Sequence, residues 1–543
     1  MLELAFQQPL EPAGGALGST LIALVPVAML LILLAALRLT AWAAVLAAGV
    51  VTFLLAVLVW DAPVGNAAQA WFYGSLTGIW AVDWIVFWGV MIFNTMVETG
   101  AFERFKNWLL VQATPDVRIQ TLLMAWAFGA LLEGLVGFGY PWAVVAPILV
   151  AIGIRELDAI RVAAIANNAP VSFGALGVPI IGLAKVTGLD LFQLSATVGR
   201  IVALLALLPP WILIYLVAGR RGLRDGWPLA IAGSLGYIAG QFPVSQFAGP
   251  YLPDVVGSLV CFGVLLGLIR FWKPKTVLGY GGTPIEEQDQ VRYAVEQAER
   301  ERPTGRGALM AVAPFLVLVV VVIAWAGPWS SLPDWTPGDW VVSAQASIGS
   351  GTVDAEFKGQ PLIAGTAILV SWILILALLR PRPAQIRSAF RTSFSQMWGA
   401  LLVGVLIFGL AFEFNFAGMA NSMAHGFAQV GDWYIILAPI LGWIAVALSG
   451  SNTSSNAIFG GFQYTVGKLL HFPVFLAPSL NSVGAETGKP VAPQTASVGV
   501  STTGYTRREG DVIRHNLAWT LIVLAYLIVI GLFYWKVLPG AMR

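Results

Sequence analysis

Long apolar runs separated by short polar or basic breaks dominate the chain. A helix that crosses a ~30 Å hydrocarbon core needs about 20 such residues. The stretches 17–37, 41–60, 82–100, 160–184, 197–218, 229–247, 252–271, 308–327, 359–379, 397–416 and 516–535 fit that length. Two others, 121–154 and 433–470, are longer and broken by Gly, Pro and Asn, and 472–500 is unusually polar. The pattern predicts an all-α polytopic membrane protein. Composition narrows it further. Of 543 residues 58% are hydrophobic and only 11% charged, where soluble chains carry nearer 25% charge. One Cys excludes a disulfide framework, and a net charge of +2 gives no reason to expect nucleic acid.

Lys and Arg placement sets direction. Arg38, Arg104, Lys106, Arg118, Arg155, Arg161, Arg220, Arg221 and Arg224 fall on one side, with the 272–307 segment, Arg380–Arg391, and Arg507, Arg508 and Arg514. The alternate loops 61–80, 248–251 and 417–431 carry no base, and 328–358 carries only Lys358. Both termini then lie outside, and with no base before the first span no cleaved signal is expected. This assignment makes 121–154 enter and leave from the inside and 433–470 from the outside. At about 34 residues each and 1.5 Å rise per residue, neither fits two full crossings. The expected architecture is therefore about 12 crossing helices plus two re-entrant hairpins.

The two halves are alike. Trp88–Phe93 matches Val403–Phe408, and the same offset lays Glu98 on Glu413. Glu133-Gly134 falls beside Ser449-Gly450, and Pro170–Ala175 beside Thr495–Val500. With opposite directions under the charge rule, the halves form inverted-topology repeats, an arrangement of secondary transporters. Four parts follow: peripheral spans 1–81, a first repeat 82–247, connecting spans 248–396, and a second repeat 397–543.

Irregular backbone at membrane depth must be buried or line a wet cavity, so the breaks are the candidate site. In Glu133–Pro141 the glycines allow a tight turn and Glu133 can hold a proton. Asn167–Pro179 looks like a broken crossing helix presenting Asn167, Asn168 and Ser172. Ser449–Asn456 offers Ser451, Asn452, Ser455 and Asn456 to a small acid. Its companion stretch supplies Glu486, Thr487, Lys489 and Gln494, with Glu486 and Lys489 one helical turn apart and spaced for an ion pair. Glu98 and Glu413 are further proton candidates, or helix-end stabilisers. No G-x-x-x-x-G-K-[ST], H-E-x-x-H or C-x-x-C-H occurs, so ATP-driven pumping, enzymatic chemistry and a metal or other cofactor have no support.

Through Glu133–Pro141, Asn167–Pro179, Ser449–Phe459 and Ala485–Lys489, the chain closely resembles the bacterial L-lactate permease family along almost its whole length. Ser449 stands where that family commonly has Thr, and keeps the hydroxyl. The resemblance implies a multi-pass protein of the bacterial inner membrane, lying among lipid. It implies proton-coupled import of L-lactate and related 2-hydroxy acids such as D-lactate and glycolate. It assigns the Ser449–Asn456 and Glu486–Lys489 motifs to a central site. The competing expectation is a sodium-coupled di- or tricarboxylate transporter; a membrane sensor or scaffold is a third, disfavoured by the broken polar spans.

Overall fold

The structure, a computed structural model, describes residues 6–112, 114–137, 139–286, 289, 305–338, 340–348, 351–505 and 508–543. Most of the 272–307 segment's second half, with Arg292, Arg300 and Arg302, lies outside the described residues, as do Phe138 and Arg507. Among the described residues nine helices are long and apolar enough to cross a membrane, or ten if the bent pair 156–166 and 171–187 is one span. Leu17, Leu58, Phe247 and Phe271 point fully outward, which suits lipid and not water. The chain is a multi-pass helical membrane protein.

Most of the expected spans are present as helices, but 197–218 is divided by a turn at 206–208 between Leu191–Leu205 and Pro209–Phe247. Ala364–Leu379, at 16 residues, is shorter than a standard crossing. Leu191–Phe247 reads as one run, but it folds back: Ser195 Oγ donates to the Ser245 carbonyl at 3.1 Å. The expected spans 82–100 and 397–416 belong to longer helices, Val64–Glu98 and Pro383–Ala417, of 35 residues each. At 1.5 Å per residue each is about 50 Å long and overshoots the hydrocarbon core. Their first halves carry Gln69 and Ser75, or Arg387, Arg391 and Ser393, so hydropathy alone places 61–80 in a loop, where the structure has helix. The boundaries at 81/82 and 396/397 consequently fall inside helices.

Each of these long helices is closed by a left-handed glycine, Gly100 (φ 69°) or Gly418 (φ 95°). A short helix follows in each case, Ala101–Gln112 or Met419–Ala428. A helical hairpin comes next, then a broken span, then a further long helix. The first hairpin pairs Val117–Leu135, whose middle Leu122–Phe128 is π-helical, with Tyr140–Ala151. The second pairs Tyr434–Ser449 with Asn452–Leu469. The first broken span bends by 68° between Glu156–Ala166 and Val171–Thr187. The second runs Leu476–Gly488, a turn at Lys489–Val491, then Pro493–Thr503.

One element departs from the all-helical expectation. In the 328–358 loop, Val341–Ile348 and Gly351–Lys358 form an antiparallel hairpin, Val341 opposite Lys358, and Phe6–Gln7 joins it in parallel with Phe6 opposite Ala346. On the base-rich side, the first part of the 272–307 segment is fastened to the first hairpin's entry. Arg118, fully buried, pairs with Asp116 at 2.7 Å and donates to the Thr276 carbonyl at 2.8 Å. Asp158 accepts from Arg155, Arg161, the Tyr280 hydroxyl at 2.5 Å and His515 at 3.0 Å. The segment is thus partly a structural strap.

Candidate functional site

Both hairpin tips and both breaks meet at one cavity of about 450 Å³. The tips turn through left-handed glycines, Gly137 (φ 64°) and Gly139 (φ 83°) in the first and Gly450 (φ 75°) in the second. A side chain there would be strained, which is why these tips are glycine. At the second tip Ser451 caps the returning helix, accepting from Ser454 N at 3.2 Å. The helices Tyr140–Ala151 and Asn452–Leu469 therefore both begin at the cavity, and helix N-termini favour an anion.

The first break is sharper than a proline kink. Ala175, Leu176 and Gly177 are all left-handed, at φ 47°, 60° and 79°. Such backbone in non-glycine residues costs roughly 1–2 kcal/mol each and persists only where the surroundings impose it. Asn456 helps to impose it: its Nδ2 donates to the carbonyl of Pro179 and to Ser482 Oγ, both at 3.0 Å. Asn481 in turn donates to Asn456 at 3.0 Å, Gln463 to Asn481 at 3.3 Å, and the Tyr434 hydroxyl to Gln463 at 2.7 Å. This buried chain joins the second hairpin to both breaks.

The charged centre spans the two halves. Lys489 Nζ lies 2.7 Å from Glu133 Oε1, and the two residues are 5% and 2% exposed. Asn167 donates to the other Glu133 oxygen at 3.0 Å. The expected Glu486–Lys489 pair is not formed. The helix ends at Gly488, so the one-turn spacing does not hold, and Lys489 turns toward the opposite hairpin. Glu486 Oε1 instead accepts from the Ser172 backbone N–H at 2.8 Å, and its second oxygen is buried without a partner. Ser172 Oγ also meets Ser482 Oγ at 2.9 Å and accepts from Asn452 at 3.4 Å.

Of the residues expected at the site, Glu133, Ser451, Asn452, Lys489 and Gln494 line the cavity, and Asn167, Ser172 and Glu486 lie directly behind it. Asn456 is structural, as described. Asn168 and Ser455 are buried, their side chains without partners, and do not line it. Thr487 bonds back to Gly484 in its own helix. Glu98 accepts from Ser388 at 2.8 Å and stabilises a helix junction away from the cavity. Glu413 is buried with both oxygens unpartnered, also away from it. Sequence reading missed Ser482 and Asn481, although Ser482 sits one turn before Glu486 and shares its face. It also missed Asp254 and Tyr237, bonded at 2.6 Å.

Residues 19–538 match the L-lactate permease family. The chain belongs to that family. It is 32% identical to glycolate permease GlcA of Escherichia coli over 99% of both chains. It is 31% identical to L-lactate permease of the same organism, over 95% of this chain and 97% of that one. Among solved structures, Neisseria gonorrhoeae MtrF is similar with a TM-score of 0.42 and 14% identity, over 92% of this chain and 86% of that one. Family membership makes the chain a permease and not an enzyme, and makes its polar breaks the natural place to look for a transported molecule.

Proposed function

We propose that the chain is a proton-coupled secondary transporter of the bacterial inner membrane that imports L-lactate and related 2-hydroxy monocarboxylates such as D-lactate and glycolate. The observation that carries this reading is one ammonium, Lys489, held by Glu133 in the wall of the cavity where both tips and both breaks converge. The names of the relatives support the substrate class.

The substrate carboxylate displaces Glu133 from Lys489 and faces the helix N-termini at the tips. Asn452, Ser451 or Gln494 pairs with the 2-hydroxyl. A site built around that hydroxyl disfavours an acid lacking it, because its polar partner is left unpaired. Val171, Ala175 and Pro179 supply apolar wall for the methyl group. Glu133, released from its cation in a buried setting, takes a proton. The recurring order of helix, hairpin and broken span forms two inverted repeats, with about 12 crossings in all. Movement of the tips and breaks exposes the cavity alternately. A di- or tricarboxylate carrier needs cations for its further carboxylates, and among the described residues Lys489 is the one Lys or Arg lining this cavity.

The test is uptake by proteoliposomes. With acid outside, labelled lactate and glycolate should accumulate, a protonophore should abolish accumulation, and propionate should compete poorly. Uptake that follows an imposed Na⁺ gradient and ignores the proton gradient would overturn the reading.

A further inference from the structure

The transport site holds more carboxyls than it has cations to match. Glu133 and Glu486 belong to the two halves, but a third lies on neither hairpin nor broken span. Asp254 opens the helix Pro253–Phe271 and is 1% exposed. It packs against the residue that follows Glu133: a Cβ placed on Gly134 would lie 2.6 Å from the Asp254 Cβ and 3.2 Å from the Val255 N. The absence of a side chain at Gly134 is what lets Asp254 approach the first tip. One Asp254 oxygen accepts from the Tyr237 hydroxyl at 2.6 Å; the other is buried without a partner.

The charge count is the argument. Lys489 is committed to Glu133. A second and third ionised carboxylate in the same buried cluster would each be an unpaired charge in a low dielectric, which a protein avoids by protonation. Around Asp254 are the Tyr237 hydroxyl that donates to it, Glu133 beside the Gly134 it packs against, Lys489 paired to Glu133, and buried Cys261 about two turns along its own helix. None of the remaining side chains in the π-helical stretch Leu122–Phe128 packed beside it is titratable. Only Lys489 among these is cationic.

We propose that Asp254 is a proton-holding carboxyl of the transport cycle, charged with a proton while Glu133 is paired to Lys489 and passing it to Glu133 when a substrate carboxylate takes Lys489. The O–H bond on the free Asp254 oxygen breaks and one forms on Glu133, the proton crossing through water admitted when Lys489 turns to the substrate. Asp254 is then ionised, still accepting from Tyr237, and is re-protonated from solvent. The empty site holds Lys489 and Glu133 charged, with Asp254 and Glu486 neutral. The loaded site holds the anion and Lys489 charged, with all three carboxyls neutral. Both sum to zero, so one proton accompanies each monocarboxylate. This inference rests on the proton-coupled reading above and names the residue and the stoichiometry.

The experiment compares wild type, Asp254→Asn and Tyr237→Phe in proteoliposomes, reading acid-driven lactate accumulation, lactate–lactate exchange and protons taken up per lactate. Wild type should take up one proton per lactate. Asp254→Asn should lose accumulation while exchange stays measurable. Tyr237→Phe removes the donor that stabilises ionised Asp254, so its pH of half-maximal uptake should move upward by roughly one unit. Accumulation by Asp254→Asn equal to wild type, or an unmoved profile in Tyr237→Phe, would overturn the role of Asp254. If Asp254→Asn does not fold, the Tyr237→Phe profile decides. Absence of acid-driven uptake in wild type would instead overturn the function itself.

Discussion

Lys489 shows what a single buried charge demands. Its ammonium is matched by one Glu133 oxygen, and the other oxygen is satisfied by Asn167. Removing one partner of such a pair leaves an uncompensated buried charge and costs roughly 3–5 kcal/mol, whereas removing both charges can be nearly neutral. Lys489→Gln alone should therefore lower the thermal midpoint in detergent, and Glu133→Gln/Lys489→Gln should recover most of the loss. Lactate uptake should be abolished in both. A double variant no more stable than the single would show that the pair is not what Lys489 contributes to folding. That Lys489 and Glu133 lie at the breaks was legible, because intramembrane charge is expensive and stands out in an apolar pattern. Their partnership was not, because the two are separated by most of the chain and Lys489 lies beyond the end of its helix. Asp254 was illegible for a different reason. An Asp after a Pro at a helix start looks like an ordinary first-turn acid, and only the approach at Gly134 gives it a role.

Breaks are the elements that sequence reveals best, since Gly, Pro and Asn clusters interrupt an otherwise apolar pattern. Both hairpins and both broken spans fall where that pattern placed them. What stayed hidden were the polar first halves of the two long helices, the strand pair at 341–358, and the supports of each break. Asn456 is the clearest support, since it holds the Pro179 carbonyl just past the left-handed turn and joins it to Ser482 and Asn481. Asn456→Ala leaves those buried groups unpaired at about 1–3 kcal/mol for each one that water cannot reach. The variant should melt at lower temperature, and its uptake should fall further than its stability, because the break it supports lines the cavity. Uptake that tracks folded protein one for one would assign Asn456 to stability alone.

The whole molecule has a direction, carried by the side on which its cavity opens. Gln494, Ser497 and Ser501 lie on successive turns of Pro493–Thr503, line the cavity and are exposed in it. That helix ends at Gly504, next to Arg508 on the base-rich side. The cavity therefore leads toward the side that the positive-inside rule makes cytoplasmic. Beside it runs the buried hydrogen-bonded chain from Ser482 through Asn456, Asn481 and Gln463 to Tyr434. An opening on the base-rich side predicts that residues of the cavity are reached from the cytoplasm. The single native thiol, Cys261, is buried, so an introduced cysteine can be read without replacing it. Ser501→Cys should react with a membrane-impermeant maleimide in inside-out vesicles and not in intact cells, and saturating lactate should slow the reaction. The slowing separates two possibilities that orientation alone does not. A cysteine that merely sits at the cytoplasmic surface would label at one rate with or without substrate, whereas one in the transport path is shielded when the tips close on their anion. Labelling of Ser501→Cys from outside in resting cells would reverse the orientation, and with it the assignment of Arg38, Arg118, Arg155 and Arg508 to the inner face.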